Sequence, residues 1–318
     1  MKRILCAFCV VMALTMALGA FADEPVNVVA LKGPTAMGMA RMMQEDDGSV
    51  YAFSVESAID LVTPLIIQGR TDIAAVPANL AAVLYQKLDG GVQVLAVNTL
   101  GVLYIVERGE SVQSVEDLRG RTIYASGQGA TPEYALNYIL RGNGIDPETD
   151  VVIDWKSEHA ECLTALLQDE NGIALLPQPF VTTAMMKAEG LRAALDLNDL
   201  WNDLQAGSET PSALLTGVVV VRKAFAEEHP DKANAFLDSY AASVAWTNEN
   251  VEEAAAVIAG FDIVPEAVAK KALPACNIVC VRGEEMKAML SGYLGVLFEA
   301  NPASVGGKLP GDDFYYLP

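Results

Sequence analysis

From Val26 onward the chain alternates short runs of β-branched and aliphatic residues with stretches in which apolar positions recur every three to four residues. Continuous apolar runs mark strands buried on both faces, and the longer period marks helices with one apolar stripe. Their alternation predicts α/β units around mostly parallel sheets. Residues 26–31 read as the first strand, which Gly33-Pro34 breaks before a helix running to Gln44. Residues 50–54, 72–76 and 92–97 read as further strands. Between them Ser57 is placed to cap one helix, with Asp60 three residues on, and Asn79 to cap the next. The same grammar repeats with strands at 121–125, 151–155 and 172–176. There Thr131 and Ser157 are predicted caps, Pro132 takes the first helical position, and Arg141-Gly142 ends the helix. If each strand ends in a capped turn, helix N-termini gather on one side of the sheets and offer amides with partial positive charge.

Two Gly-led apolar strands, 101–106 and 217–221, bracket a middle region of one domain's size. They predict two lobes: a discontinuous one from 23–101 plus 213–318, and an inserted one from 102–212. A chain of 318 residues is longer than one compact core usually serves, which agrees. Beyond the second crossover the pattern is helical at 224–247, 251–259, 265–272 and 284–299. The tail from Asn301 ends in an aromatic cluster and is expected to lie along the surface.

Composition narrows the function. The chain is 52% hydrophobic and 19% charged, which excludes a disordered protein. Forty-one acidic residues against 21 basic ones repel phosphate backbones, so nucleic-acid binding is not expected. Lys2 and Arg3, the apolar run Ile4 to Leu18, and Ala20-Phe21-Ala22 form a secretory signal with cleavage after Ala22. Cys6 and Cys9 do not occupy a lipid-acceptor position, so the mature protein is expected to be exported, periplasmic or extracellular, and unlipidated. In such a compartment Cys276 and Cys280 are a candidate disulfide, with two buried thiols as the alternative. Cys162 fits a small core residue.

Catalytic signatures are lacking. No phosphate loop or G-x-S-x-G elbow occurs, Gly127-x-Gly129 lacks a third glycine, and the two histidines support neither a triad nor a metal set. No cofactor is expected. In open α/β sheets ligands sit beyond the carboxyl ends of strands, where chain order reverses. The candidate ligand contacts are therefore the turn residues Pro34, Thr35, Ala36, Asn79, Asn98, Thr99, Ser126, Gln128, Gly129, Ala130, Thr131, His159 and Gln178. For each, an ordinary cap or boundary residue is the competing role. Tyr124 and Trp155 are placed either to stack on a ring or to pack the core.

The segments VEDLRGRTIYASGQGATPEYALNYILRGNGIDPETDV, GRTDIAAVPANLAAVLYQK, GIALLPQPFVTTAM and VVVVRKAFAEEHPDKANAFLDSYAASVAWTNEN resemble the periplasmic solute-binding proteins of ABC importers. The resemblance is to the group for nitrate, sulfonate, taurine and thiamine-pyrimidine uptake. It implies a type II binding-protein fold, with two lobes, a two-strand hinge, and a small-molecule ligand closed between them. It also implies an ABC permease and ATPase as partners, and a monomer. Carried over, the family's ligand-facing turns fall on Pro34-Thr35, Asn79, Asn98-Thr99, Ser126 to Thr131 and Gln178. Those turns carry no cluster of basic residues, which favours a polar or anionic organic ligand, with a heteroaromatic end as one option, over an inorganic anion. Enzymes of the same fold, pyrimidine-synthase-like or menaquinone-pathway-like, are the rival reading, and the export signal argues against them. A sensory module that presents ligand to a receptor is a third.

Overall fold

A computed structural model of the chain describes residues 24–208 and 212–317. The segment read as a secretory signal lies outside the described residues. Two sheets organise the molecule. In the first, β1 (Val26–Leu31) lies between β2 (Tyr51–Glu56) and β3 (Ile73–Pro77), parallel to both. Next to β3 comes β10 (Leu215–Arg222), antiparallel to β3 and to β4 (Val92–Leu100), and β11 (Ile278–Val281) closes the edge beyond β4. In the second sheet β6 (Thr122–Ser126) lies between β7 (Val152–Lys156) and β8 (Ile173–Pro177), parallel to both. There β5 (Leu103–Arg108) runs antiparallel to β8 and β9 (Leu191–Asp196). Each sheet is thus mostly parallel with one reversed strand in its interior, β10 or β5, that directly follows a crossing between sheets, and in the first sheet the edge strand β11 is reversed as well.

Helices cover both faces. In the first lobe they are α1 (Pro34–Met37), α2 (Ala40–Glu45), α3 (Ile59–Ile67), α4 (Ala78–Lys87), α9 (Lys223–Glu228), α10 (Pro230–Glu249), α11 (Val251–Gly260), α12 (Glu266–Ala272) and α13 (Gly283–Ala300). In the second they are α5 (Thr131–Gly142), α6 (His159–Gln168), α7 (Phe180–Lys187) and α8 (Leu197–Gln205). The valine run of β10 shows why such strands are not patterned apolar-polar. Val218 and Val220 enter a core with α3, α4 and α13, while Val219 and Val221 enter another with α1, α2, α10, α11 and α12. Each buried valine contributes about 1.5–3 kcal/mol relative to an exposed one, and both faces need them.

The structure amends several boundaries. The first predicted helix is two, separated at Gly38 and Met39, and Gly38 lies so close to Ile278, Val244 and the Tyr240 hydroxyl that a side chain there would collide. Ala58, Pro77, Ala130 and Glu158 are the N-caps where Ser57, Asn79, Thr131 and Ser157 were expected. Pro230, which cannot donate within a helix, splits 224–247 into α9 and α10. The tail from Asn301 runs along the surface with most residues exposed, and it is anchored at its aromatic end: Phe314 is fully buried, and the Tyr316 amide donates to the Val94 carbonyl at 2.9 Å. Cys276 and Cys280 are unpaired thiols rather than a disulfide. Cys276 is buried and Cys280 half-buried, both against the core that includes Tyr240. Cys162 is a buried core residue. Among the described residues no helix is long and apolar enough to cross a membrane.

Candidate functional site

Chain order reverses on either side of β1 in the first sheet and of β6 in the second. The turns leaving β1, β3, β6 and β8 are therefore where a ligand of this architecture belongs, and most of the sequence-selected residues sit in them. They fall into three groups.

The first group belongs to lobe one. At Gly33 the backbone takes φ +120°, a region that side chains disfavour, and a Cβ there would meet no atom within 4 Å, so the turn faces open space. Behind it Thr35 Oγ1 donates to the Leu31 carbonyl at 2.8 Å. Asn98 Nδ2 donates to the Thr35 carbonyl at 3.4 Å, and Thr99 Oγ1 donates to Asn98 Oδ1 at 3.1 Å. Pro34 is half-buried and Ala36 fully buried. Gly217 lets these side chains pack down: a Cβ on it would lie 2.4 Å from Asn98 Oδ1 and 2.7 Å from Thr35 Cγ2. Tyr240, absent from the sequence-based selection, closes the floor. Its hydroxyl is buried beside Asn98 without a well-formed hydrogen bond, and burial raises its pKa far above the ordinary tyrosine value.

The second group belongs to lobe two. Ser126 Oγ and His159 Nδ1 share a hydrogen bond of 2.6 Å, and the His159 ring lies 5.3 Å from that of Phe180. Although the residue keeps part of its surface, its imidazole is crowded by protein, and desolvation pushes its pKa from 6.5 to about 4. His159 is therefore a neutral hydrogen-bonding group at physiological pH. Gln178 Oε1 accepts from both the amide and the hydroxyl of Thr182, at 3.3 and 2.8 Å. Gln128 and Gly129 are exposed, and Ala130 is half-buried. The Gly129 amide donates to Glu133 Oε2 at 2.5 Å. Tyr124 is engaged away from this cluster, donating to Asp169 at 3.0 Å, and Trp155 packs against the core.

The third group joins the lobes. Thr131 Oγ1 donates to Asn79 Oδ1 at 3.3 Å, and Asn79 Nδ2 donates to the Ser304 carbonyl at 3.3 Å. Tyr293 donates its hydroxyl to Thr131 Oγ1 at 3.1 Å. All four residues are buried. Asn79 and Thr131 thus spend their polar atoms on each other, on Tyr293 of α13 and on the Ser304 carbonyl just beyond that helix. The partner α13 lies more than 150 residues from Thr131, and no local pattern announces it.

These groups supply hydroxyls, amides and a neutral imidazole, and no lysine or arginine among the selected residues. Two surface depressions lie elsewhere: about 420 Å³ beside Arg141 and Glu148, and about 630 Å³ between α13 and the helices α5 and α8. No cluster of metal-ligating side chains occurs among the described residues.

A family model described as ABC transporter, phosphonate, periplasmic substrate-binding protein matches residues 43–267, well over half of the chain. Among solved structures, an ABC transporter protein from Parabacteroides distasonis is 25% identical with a TM-score of 0.77, covering 93% of this chain and 99% of that one. The periplasmic aliphatic sulphonate binding protein SsuA of Escherichia coli is 18% identical with a TM-score of 0.73, covering 93% of both chains. The alkanesulfonate-binding SsuA of Xanthomonas axonopodis pv. citri, bound to MOPS, is 14% identical with a TM-score of 0.68, covering 92% and 96%. These last two show likeness of fold. No curated protein sequence matches the chain.

Proposed function

From the premise that the chain belongs to the ABC-transporter periplasmic substrate-binding family whose model carries the phosphonate name, we propose that it is an exported receptor for one small organic solute. The signal at residues 1–22 directs it to the periplasm, where it acts as a monomer. The lobes are 23–101 plus 213–318 and 102–212, and the solute lies between them against Thr35, Asn98, Thr99, Ser126, Gln128, His159 and Gln178. Contact with both lobes favours their closed arrangement, which the permease and its ATPase then read. The differential affinity for closed over open lobes sets how far the population shifts. Neutral donors and acceptors suit a polar molecule with at most one anionic end, in the size range of the sulfonates named for relatives.

One observation carries this reading: the Thr131–Asn79 hydrogen bond joins the turn after β6 to the turn after β3, so the two reversal points face each other. The arrangement holds and releases, with no nucleophile activated by a base. Ser126 and His159 come closest, but a pKa of about 4 leaves the imidazole a poor base at neutral pH.

Native mass spectrometry of freshly purified mature protein tests the reading, followed by a thermal-shift screen of sulfonates, phosphonates, amino acids, pyrimidines and nucleobases. The expected result is one bound mass and one class that raises Tm. Turnover of the bound compound would overturn it.

A further inference from the structure

The two sides of the molecule are joined differently. On one side a single core runs without a break from β10, α4 and α13 of lobe one to β5, β6, α5 and α8 of lobe two. On the other side each lobe has its own core. One comprises α1, α2 and α10 to α12, the other α6 and α7, and among the described residues these approach each other where α12 touches α7. On the continuous side the rings of Trp201 and Tyr293 lie 5.6 Å apart, with Tyr138 4.4 Å from Trp201. Trp201 and Tyr293 are fully buried, and Trp201 Nε1 donates to Ser212 in the return crossing, at 3.1 Å to its hydroxyl. The Tyr293 hydroxyl then reaches Thr131, at the start of α5.

We propose that α13 is the spine on which the lobes turn. Tyr293 is a positioning residue that holds the ligand turn of lobe two on lobe one, and the lobes part along the α12–α7 side. Separating the α13 side would expose three aromatic rings to water and break the Tyr293–Thr131 hydrogen bond. Separating the other side parts two helices whose cores are already distinct. The chain thus has a third, non-covalent link between lobes besides its two crossings. It accounts for Asn79 and Thr131, selected as ligand contacts, being engaged with each other.

The inference rests on the receptor reading only in that it names how that receptor opens, and its test needs no ligand. Two pairs of spin labels are compared in the mature protein by double electron–electron resonance. One pair, Ser208→Cys with Glu299→Cys, spans the groove beside α13. The other, Lys187→Cys with Ala267→Cys, spans α7 and α12. The native Cys162, Cys276 and Cys280 have pKa values raised by burial, which keeps them slow to label.

The expected result is a narrow distance distribution for the α13 pair and a broad or two-peaked one for the α12–α7 pair. Tyr293→Phe, which keeps the ring, should broaden the α13 distribution slightly, and Tyr293→Ala more. Circular dichroism and Tm report whether each variant is folded. An α13 pair as broad as the α12–α7 pair would overturn the proposal. So would an α13 distribution that is the same in wild type and both folded variants. If Tyr293→Ala does not fold, Tyr293→Phe decides. A negative native-mass result with a narrow α13 pair would sink the receptor reading and leave the spine standing.

Discussion

The lobes start their helices differently. In lobe two each strand-to-helix turn has one amide held by a nearby side chain, although at the N-cap itself only Asp196 makes a side-chain bond. Glu133 accepts from Gly129, Glu161 from Ser157, Gln178 from Thr182, and Asp196 from Asn198. In lobe one the N-caps of α1 to α4 are Gly33, Met39, Ala58 and Pro77, and none makes a side-chain cap hydrogen bond. The expectation from sequence is of capped turns whose helix N-termini gather on one side of the sheets. What folds is one lobe in which a side chain, three times a carboxylate, holds an amide at each such turn, and one in which the turns into α1, α3 and α4 show no such bond and the Met42 amide of α2 donates to Ser243 Oγ at 3.4 Å. The lesson is that an acidic residue one turn into a helix can occupy the positive end it would otherwise present. The face left for a ligand in lobe two is neutral or negative, so an anionic end belongs toward lobe one.

The most damaging way to break this contrast is to fill lobe one. Gly217→Val puts methyl groups where Asn98 and Thr35 now pack. It should cost about 1–3 kcal/mol of stability and abolish binding of the ligand found by mass spectrometry. Denaturant unfolding and calorimetry read the two effects separately. A variant that binds normally would show that the Thr35–Asn98 cluster is not the ligand floor.

A second handle is pH. The folded pKa of His159, about 4, lies below its ordinary value of 6.5, so the unfolded chain binds the proton first. Stability contributed by the neutral imidazole is complete above pH 6.5 and is lost as pH falls toward 4, by roughly 2–3 kcal/mol. His159→Gln should flatten the slope of Tm against pH in that window relative to wild type. Equal slopes would place the imidazole in water.

The finest test sharpens the electrostatic difference. Glu133→Gln keeps an acceptor near Gly129 but removes its charge, so stability should change by less than about 1 kcal/mol. Affinity for anionic solutes should rise up to about tenfold over neutral ones, read by titration calorimetry at two salt concentrations. Unchanged selectivity would mean that the ligand never approaches this turn.

Much of the fold could be read from the chain because it is written locally. The run Gly217 to Val221 announces a strand buried on both sides, and Gly33-Pro34 and Thr131-Pro132 announce helix starts within one residue. The stretch from Leu191 to Gln205 was not read, because β9 is only half-buried and its apolar positions merge with those of α8. The candidate turns were legible as turns, but their uses were not. Nothing near Asn79 indicates Thr131, and nothing near Asn98 indicates Tyr240, since those partners arrive from other elements. Disposition of amides was illegible for a different reason. Glu133 lies within four residues of Gly129, yet whether its carboxylate caps the turn or faces solvent depends on side-chain geometry.

The buried C-terminal aromatics carry a consequence for how the molecule is made. Phe314 and Tyr315 belong to the same core as Val29, the one that spans both lobes, so that core is complete only once the segment carrying these aromatics has docked.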